Sequence, residues 1–116
     1  MVVLVINEIP DLRKVVRTFF ELQGYEVVEA GHPVEAFSQA IEYKPQFVVV
    51  DNVVDSIPCL AICKNIQTIP ELEAVEFVVL TDFDDELPAV SGINLKGIIT
   101  KPNIVPKLRN YFPPLK

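Results

Sequence analysis

Glu8, Asp51, Thr81 and Lys101 are the residues of this chain whose types and placement could do chemistry. Each stands at the end of an apolar run. Asp51 closes Phe47-Val48-Val49-Val50, Thr81 closes Phe77-Val78-Val79-Leu80, Lys101 follows Gly97-Ile98-Ile99-Thr100, and the pair Asn7-Glu8 follows residues 2–6. Two carboxylates forced together repel, so they share a proton or hold a cation. With no His or Cys cluster beside them, Glu8 and Asp51 favour a hard, oxygen-seeking ion such as Mg²⁺. A carboxylate beside such an ion can also act as nucleophile toward a phosphoryl group, giving an aspartyl-phosphate. The charge developing on the phosphoryl oxygens then needs donors aimed at it. Thr81 offers a hydroxyl and Lys101 a positive point charge. Taken singly, three of the four have plainer uses: Glu8 as a first-turn acid, Thr81 as a helix cap, Lys101 as a solvated surface charge. Asp51 resists that treatment, because its run is otherwise wholly apolar.

To bring these groups together, the runs that carry them must be neighbours. A β-branched run without polar alternation reads as a strand buried on both faces of a parallel sheet. Such runs occur at residues 2–6, 26–29, 47–50, 76–80 and 97–99. Helical spacing fills the gaps. Leu12, Val15, Val16, Phe19 and Leu22 recur at three- and four-residue intervals between a Pro10-Asp11 start and a Gly24 stop. Val34, Phe37, Ala40 and Ile41 make a second helix closing before Pro45, and Cys59, Ile62, Cys63 and Ile66 a third ending before Pro70. A short fourth is predicted from about residue 84 to 91, containing Pro88, and a fifth over 104–111, stopped by Pro113-Pro114. Five alternations of strand and helix with short connections imply an α/β fold: one doubly wound, five-stranded parallel sheet with helices on both faces. Ligands of such sheets bind outside the carboxyl ends of the strands, where strand order reverses. The second strand, with Glu26 and Glu29 around Val27-Val28, is expected at an edge. The first and third then flank the switch point, which sets Glu8 and Asp51 side by side.

The 116 residues fit one domain, spanning 1–116, with a real core. A net charge of −6 argues against sequence-independent nucleic-acid binding, which needs a basic face. No apolar stretch approaches a membrane span and no secretory signal stands at the N-terminus, so a cytoplasmic location is expected. Cys59 and Cys63, four apart on a helix, read as small core residues, since that spacing suits neither a disulfide nor a metal site. His32, before Pro33, reads as a loop residue near a helix start. Met1, Phe19, Phe20, Phe37, Phe47 and Phe77 are expected in the core.

The residues also resemble a known family over essentially the full length: the response-regulator receiver domain of two-component signalling. VLVINEIPDLR (residues 3–13) is similar to the family's first strand, acidic pair and helix start. FVVVD ends where the family carries its phosphoacceptor, at Asp51; FVVLTD places Thr81 at the hydroxyl position, and GIITKP places Lys101 before a proline. The resemblance implies a flavodoxin-like sheet of strand order 2-1-3-4-5 and Mg²⁺ as cofactor. It implies a histidine kinase or phosphotransfer protein as phosphoryl donor, and an unidentified downstream protein target. It also implies a signalling module rather than an enzyme, and a Lys101-Pro102 bond that is usually cis. The family's third protein ligand to the metal, a backbone carbonyl, would be that of Val53. With nothing following residue 116, output is expected through protein–protein contact.

Departures from the family pattern are several. Asn7 removes one of two acids, leaving at best a weak or water-mediated contact to the metal, and Glu8 is one methylene longer than the usual Asp. Asp82 follows Thr81 where the family carries Ala or Gly, and a carboxylate there would repel an incoming phosphoryl group at a cost of about 1–4 kcal/mol. Ile98 replaces the aromatic switch residue. Two readings result: a phosphorylated receiver, and a pseudo-receiver that keeps the fold as an interaction module. A flavin, nucleotide or phosphatase protein is disfavoured, because no Gly-rich phosphate loop is present and Val53 replaces the acid such phosphatases carry.

Overall fold

A computed structural model of the chain describes residues 1–82 and 91–115. Its elements run β1 (Val2–Ile6), α1 (Pro10–Leu22), β2 (Glu26–Ala30), α2 (Pro33–Tyr43), β3 (Phe47–Asp51), β4 (Val53–Val54), β5 (Ile57–Pro58), α3 (Cys59–Gln67), a 3₁₀ turn (Pro70–Leu72), β6 (Glu76–Thr81), β7 (Leu95–Thr100) and α4 (Ile104–Tyr111). The long strands form one parallel sheet in the order β2-β1-β3-β6-β7. Leaving aside the small antiparallel ribbon β4–β5, this is the expected order 2-1-3-4-5. The helix predicted over 84–91 lies outside the described residues, residue 91 excepted.

Continuous apolar runs make the inner strands. Val48, Val49 and Val50 of β3, and Phe77, Val78, Val79 and Leu80 of β6, are buried whichever face they take, as a sheet covered on both sides requires. Alternation sorts them into two cores. Leu4, Ile6, Val48, Val50, Phe77 and Val79 meet α2 and α3; Val3, Val5, Val49, Val78 and Leu80 meet α1 and α4. Helix ends follow local chemistry. Pro10 opens α1 with Asp11 in its first turn, and Gly24 closes it at φ 96°, a conformation that glycine takes without a Cβ penalty. His32 caps α2, its Nδ1 accepting the Glu35 N–H at 3.4 Å. No helix among the described residues is long and apolar enough to cross a membrane.

Several apolar residues assigned to the core from spacing lie outside it. Helix α1 buries Val16, Phe19 and Phe20, whereas Val15 and Leu22 are exposed. Helix α2 turns Ala36 and Ala40 inward and leaves Val34, Phe37 and Ile41 exposed. Small residues let a helix approach the sheet closely, and the larger side chains one step around then face outward. Met1, expected in the core, is also exposed, because it precedes the first strand pair.

At the β6–β7 edge the register shifts between Phe77 and Val78, so Phe77 pairs with Leu95 and Val78 with Gly97. Lys96 is the extra residue, and such a bulge re-aims a side chain. Its ammonium lies 5.4 Å from the Phe47 ring centre and 5.6 Å from that of Phe112, within cation–π range. A Cβ at Gly97 would collide with the Tyr111 ring. Gly97→Ala is therefore expected to cost about 1–3 kcal/mol by overpacking, read from urea denaturation. Removing the ring as well, in Gly97→Ala/Tyr111→Ala, should recover part of the packing strain. A wild-type midpoint for Gly97→Ala would disprove the close approach.

Candidate functional site

Strand register carries the sequence-predicted residues to one rim of the sheet. Ile6 pairs with Val50, so Asn7 falls beside Asp51, and alternation from Val5 and Val49 sends both toward the α1–α4 side. Asp51 pairs with Leu80, and Thr81 with Thr100. The Lys101 N–H donates to the Thr81 carbonyl at 2.8 Å, and the Lys101–Pro102 bond is cis. With its backbone held there, Lys101 reaches back across β6. Its Nζ lies 2.7 Å from Asp51 Oδ1 and 3.2 Å from Asp82 Oδ1. One ammonium therefore serves two carboxylates, of which Asp51 is buried and Asp82 exposed.

The Lys101–Asp51 contact is an ion pair, and Asp51 Oδ1 has no other hydrogen-bond donor among the described residues. Asn7 Nδ2 and Thr81 Oγ1 are likewise buried without a hydrogen-bond partner there. Buried polar atoms are nearly always satisfied, by protein, water or ligand. Three such atoms, just beyond β1 and at the ends of β3 and β6, come together at one rim and mark a site built to meet a further polar group.

The loops around this rim are tied down. Asn7 Oδ1 accepts the Ile9 N–H at 2.9 Å, and the Asn7 carbonyl accepts Arg13 Nη1 at 2.6 Å. Gly31 leaves room for that guanidinium, since a Cβ there would sit 3.1 Å from Nη1. Glu8 is exposed and its Oε1 accepts the Asp55 N–H at 3.1 Å, which joins the loop after β1 to the ribbon after β3. Asp55 and Ser56 turn that ribbon with φ of 50° and 66°, the left-handed pair that a two-residue hairpin needs. Asn52 O accepts the Cys59 N–H at 2.8 Å, so the next pair, Val53 and Pro58, is non-hydrogen-bonded. The Val53 carbonyl thus points away from its partner strand.

These placements decide which atoms could hold a metal. Asp51, Glu8 and the Val53 carbonyl present oxygens, the donors a hard divalent ion takes, with waters filling its shell. Asn7 adds no charge, and its oxygen accepts the Ile9 N–H while its amide nitrogen stays without a hydrogen-bond partner among the described residues. Among the described residues no group of three or more His, Cys, Asp or Glu gathers to bind a metal. The donor set therefore fits a lightly held ion and not a protein-saturated one.

Burial lowers the Lys101 pKa, but contact with Asp51 and its charge, then those of Asp82, outweigh that, and the net shift is upward from 10.5. Folding therefore favours the ammonium. Its stabilising contribution is complete below about pH 10.5 and is lost as pH rises through the elevated folded value. Unfolding free energies at pH 9 and pH 11.5 should fall more steeply in the wild type than in Lys101→Met, and parallel curves would refute the coupling. Burial, with Asp51 adding to it, raises the Cys59 thiol pKa, and burial raises that of Cys63. Both stay protonated and act as packing.

Sequence reasoning named Asp82 as a departure but missed that it shares Lys101, since position along a strand does not disclose where a carboxylate turns. It also missed Arg13, whose presence in the VLVINEIPDLR segment was the available signal. Ile98 packs against the α2–α3 core.

A parallel sheet of this order, with buried acid and lysine meeting at its carboxyl rim, defines a doubly wound, flavodoxin-like α/β protein with polar chemistry at the switch point. Residues 3–112 match the family model described as response regulator receiver domain, and the chain belongs to that family. Receiver domains are signalling modules that work with histidine kinases and downstream targets and generally bind Mg²⁺ at their phosphorylation site. Solved structures agree on the fold. The chain is similar to a CheY-like receiver domain from Methylobacillus flagellatus (15% identity, TM-score 0.83, covering 95% of this chain and 93% of that one). It is also similar to a receiver domain from Clostridium thermocellum (19%, 0.82, 96% and 90%). A third likeness is the response regulator domain of Thermotoga maritima CheB (22%, 0.77, 95% and 91%). No curated protein matches the chain.

Proposed function

We infer that residues 1–116 work as one receiver unit that accepts a phosphoryl group on Asp51 within a phosphorelay and signals by protein–protein contact. The observation that carries this is the Asp51–Lys101 ion pair at 2.7 Å, flanked by Asn7 Nδ2 and Thr81 Oγ1, which have no hydrogen-bond partner among the described residues. A phosphohistidine on a kinase or phosphotransfer protein is the donor, which goes with a cytoplasmic setting. An Asp51 carboxylate oxygen attacks phosphorus, the bond from phosphorus to the donor imidazole nitrogen breaks, and that nitrogen takes up a proton. Lys101 holds Asp51 in line and then neutralises a phosphoryl oxygen, while the Thr81 hydroxyl and Asn7 amide supply donors for the others. Asp51, Glu8 and the Val53 carbonyl would hold Mg²⁺, which would supply further charge neutralisation at the phosphoryl oxygens when bound.

A second reading, the pseudo-receiver that is not phosphorylated, draws on two observations. Asn7 brings an uncharged amide whose oxygen already accepts the Ile9 N–H, and Asp82 already occupies Lys101. One experiment separates the readings: incubation with Mg²⁺ and a small phosphodonor, followed by intact-mass analysis. A stoichiometric adduct, absent from Asp51→Asn, is expected. An unmodified chain at saturating donor leaves only the pseudo-receiver.

A further inference from the structure

Lys101 sits between two carboxylates of unlike standing. The side chain of Asp51 is 13% exposed and that of Asp82 64% exposed. Asp51 ends β3, whereas Asp82 is the first residue beyond β6 and is exposed. The Lys101 backbone is bonded to Thr81, the residue just before Asp82, so the ammonium and the Asp82 carboxylate leave the sheet together. We propose that Asp82 is a resident competitor for the cation that a phosphoryl group on Asp51 uses, an inference that rests on the phosphoacceptor reading above. A phosphoryl group brings roughly −1.5 to −2 charge and three acceptor oxygens to the same ammonium. The two anions cannot both lie against Lys101 without repelling one another. The phosphoryl group is covalently fixed beside the ammonium, so Asp82 is the anion that gives way.

One consequence follows for this chain: its affinity for a phosphoryl group is set below what Lys101 alone would give. Asp82 thus acts through Lys101 as a positioning residue and not by touching the phosphoryl donor.

The test uses the 116-residue chain with beryllofluoride and Mg²⁺ in isothermal titration, comparing wild type, Asp82→Asn, Lys101→Met and the double variant. Asp82→Asn keeps the shape and removes the charge, and is expected to bind about fivefold tighter, the scale of a partly exposed ion pair. That gain should vanish in the Lys101→Met background. An equal gain in both backgrounds, meaning direct repulsion, or no gain at all, overturns the proposal while leaving the phosphoacceptor reading intact. Absence of binding in all four chains overturns both. Since Lys101→Met weakens the fold, Lys101→Arg, which keeps the cation, serves as a second background: the Asp82→Asn gain should persist there, and its loss in that background also overturns the proposal.

Discussion

Lys101→Met is expected to lower the unfolding free energy by about 2–4 kcal/mol at neutral pH, just under the usual cost of breaking a fully buried pair. The reason lies in what stays behind. Asp51 is buried at the end of β3, and its Oδ1 has no hydrogen-bond donor among the described residues to take over from the ammonium. Methionine fills the space of the lysine stem and leaves the Asp51 charge unpaired in a poorly solvated place. Neutralising that charge should repair most of the damage, so Asp51→Asn/Lys101→Met is expected to be more stable than Lys101→Met alone. Urea denaturation of the four members of this cycle provides the measurement. A single variant within about 0.5 kcal/mol of wild type, or a double variant no better than the single, would show that the pair contributes little.

Phe112→Ala should be costlier for the fold. Phe112 follows α4 and is 1% exposed. Its ring meets Phe20 at 4.8 Å, Phe47 at 5.1 Å and Tyr25 at 6.1 Å, all edge-on, the geometry that ring quadrupoles favour. One side chain therefore joins α1, β3 and the C-terminal helix. Truncation leaves a cavity among rings that cannot collapse together, at about 3–5 kcal/mol and a melting temperature lower by roughly 10–20 °C. Phe112→Leu should retain a good part of that. A loss under about 1 kcal/mol for alanine, no more than a typical substitution costs, would mean the cluster is loosely packed. The Lys96 ammonium over the same rings should make Lys96→Ala measurable but far milder.

Legibility in the sequence followed the strength of the local signal. The inner strands were plain because Val48–Val50 and Phe77–Leu80 are apolar at every position, a pattern with one common cause. Asp51 and Lys101 were legible for the same reason, as polar residues ending such runs. Helical faces were less so. Val15 and Val16 satisfy the same spacing, and only packing against the sheet decides that Val16 is inside and Val15 outside. Phe37 looked like core by type, but Ala36 and Ala40 set how close α2 lies, and that is a tertiary choice. The β4–β5 ribbon had no signature, because its turn uses Asp55-Ser56 without the glycine that normally announces it. Within the site, residue types were visible and orientations were not. That Asn7 spends its oxygen on Ile9, that Glu8 reaches Asp55, and that Asp82 bends onto Lys101 depend on the fold around them.

Strand β2 borders the sheet and carries Glu26 and Glu29. Glu29 is bridged by Arg13 at 3.5 Å and Arg17 at 2.7 Å, which lays two guanidinium groups from α1 along that border. An unguarded border strand is a template for polymerisation, and charge placed there is a common safeguard. The paired charges on Glu29 and its two arginines disfavour fibre growth by strand addition at the β2 border, one of the two borders of the sheet, the other being β7.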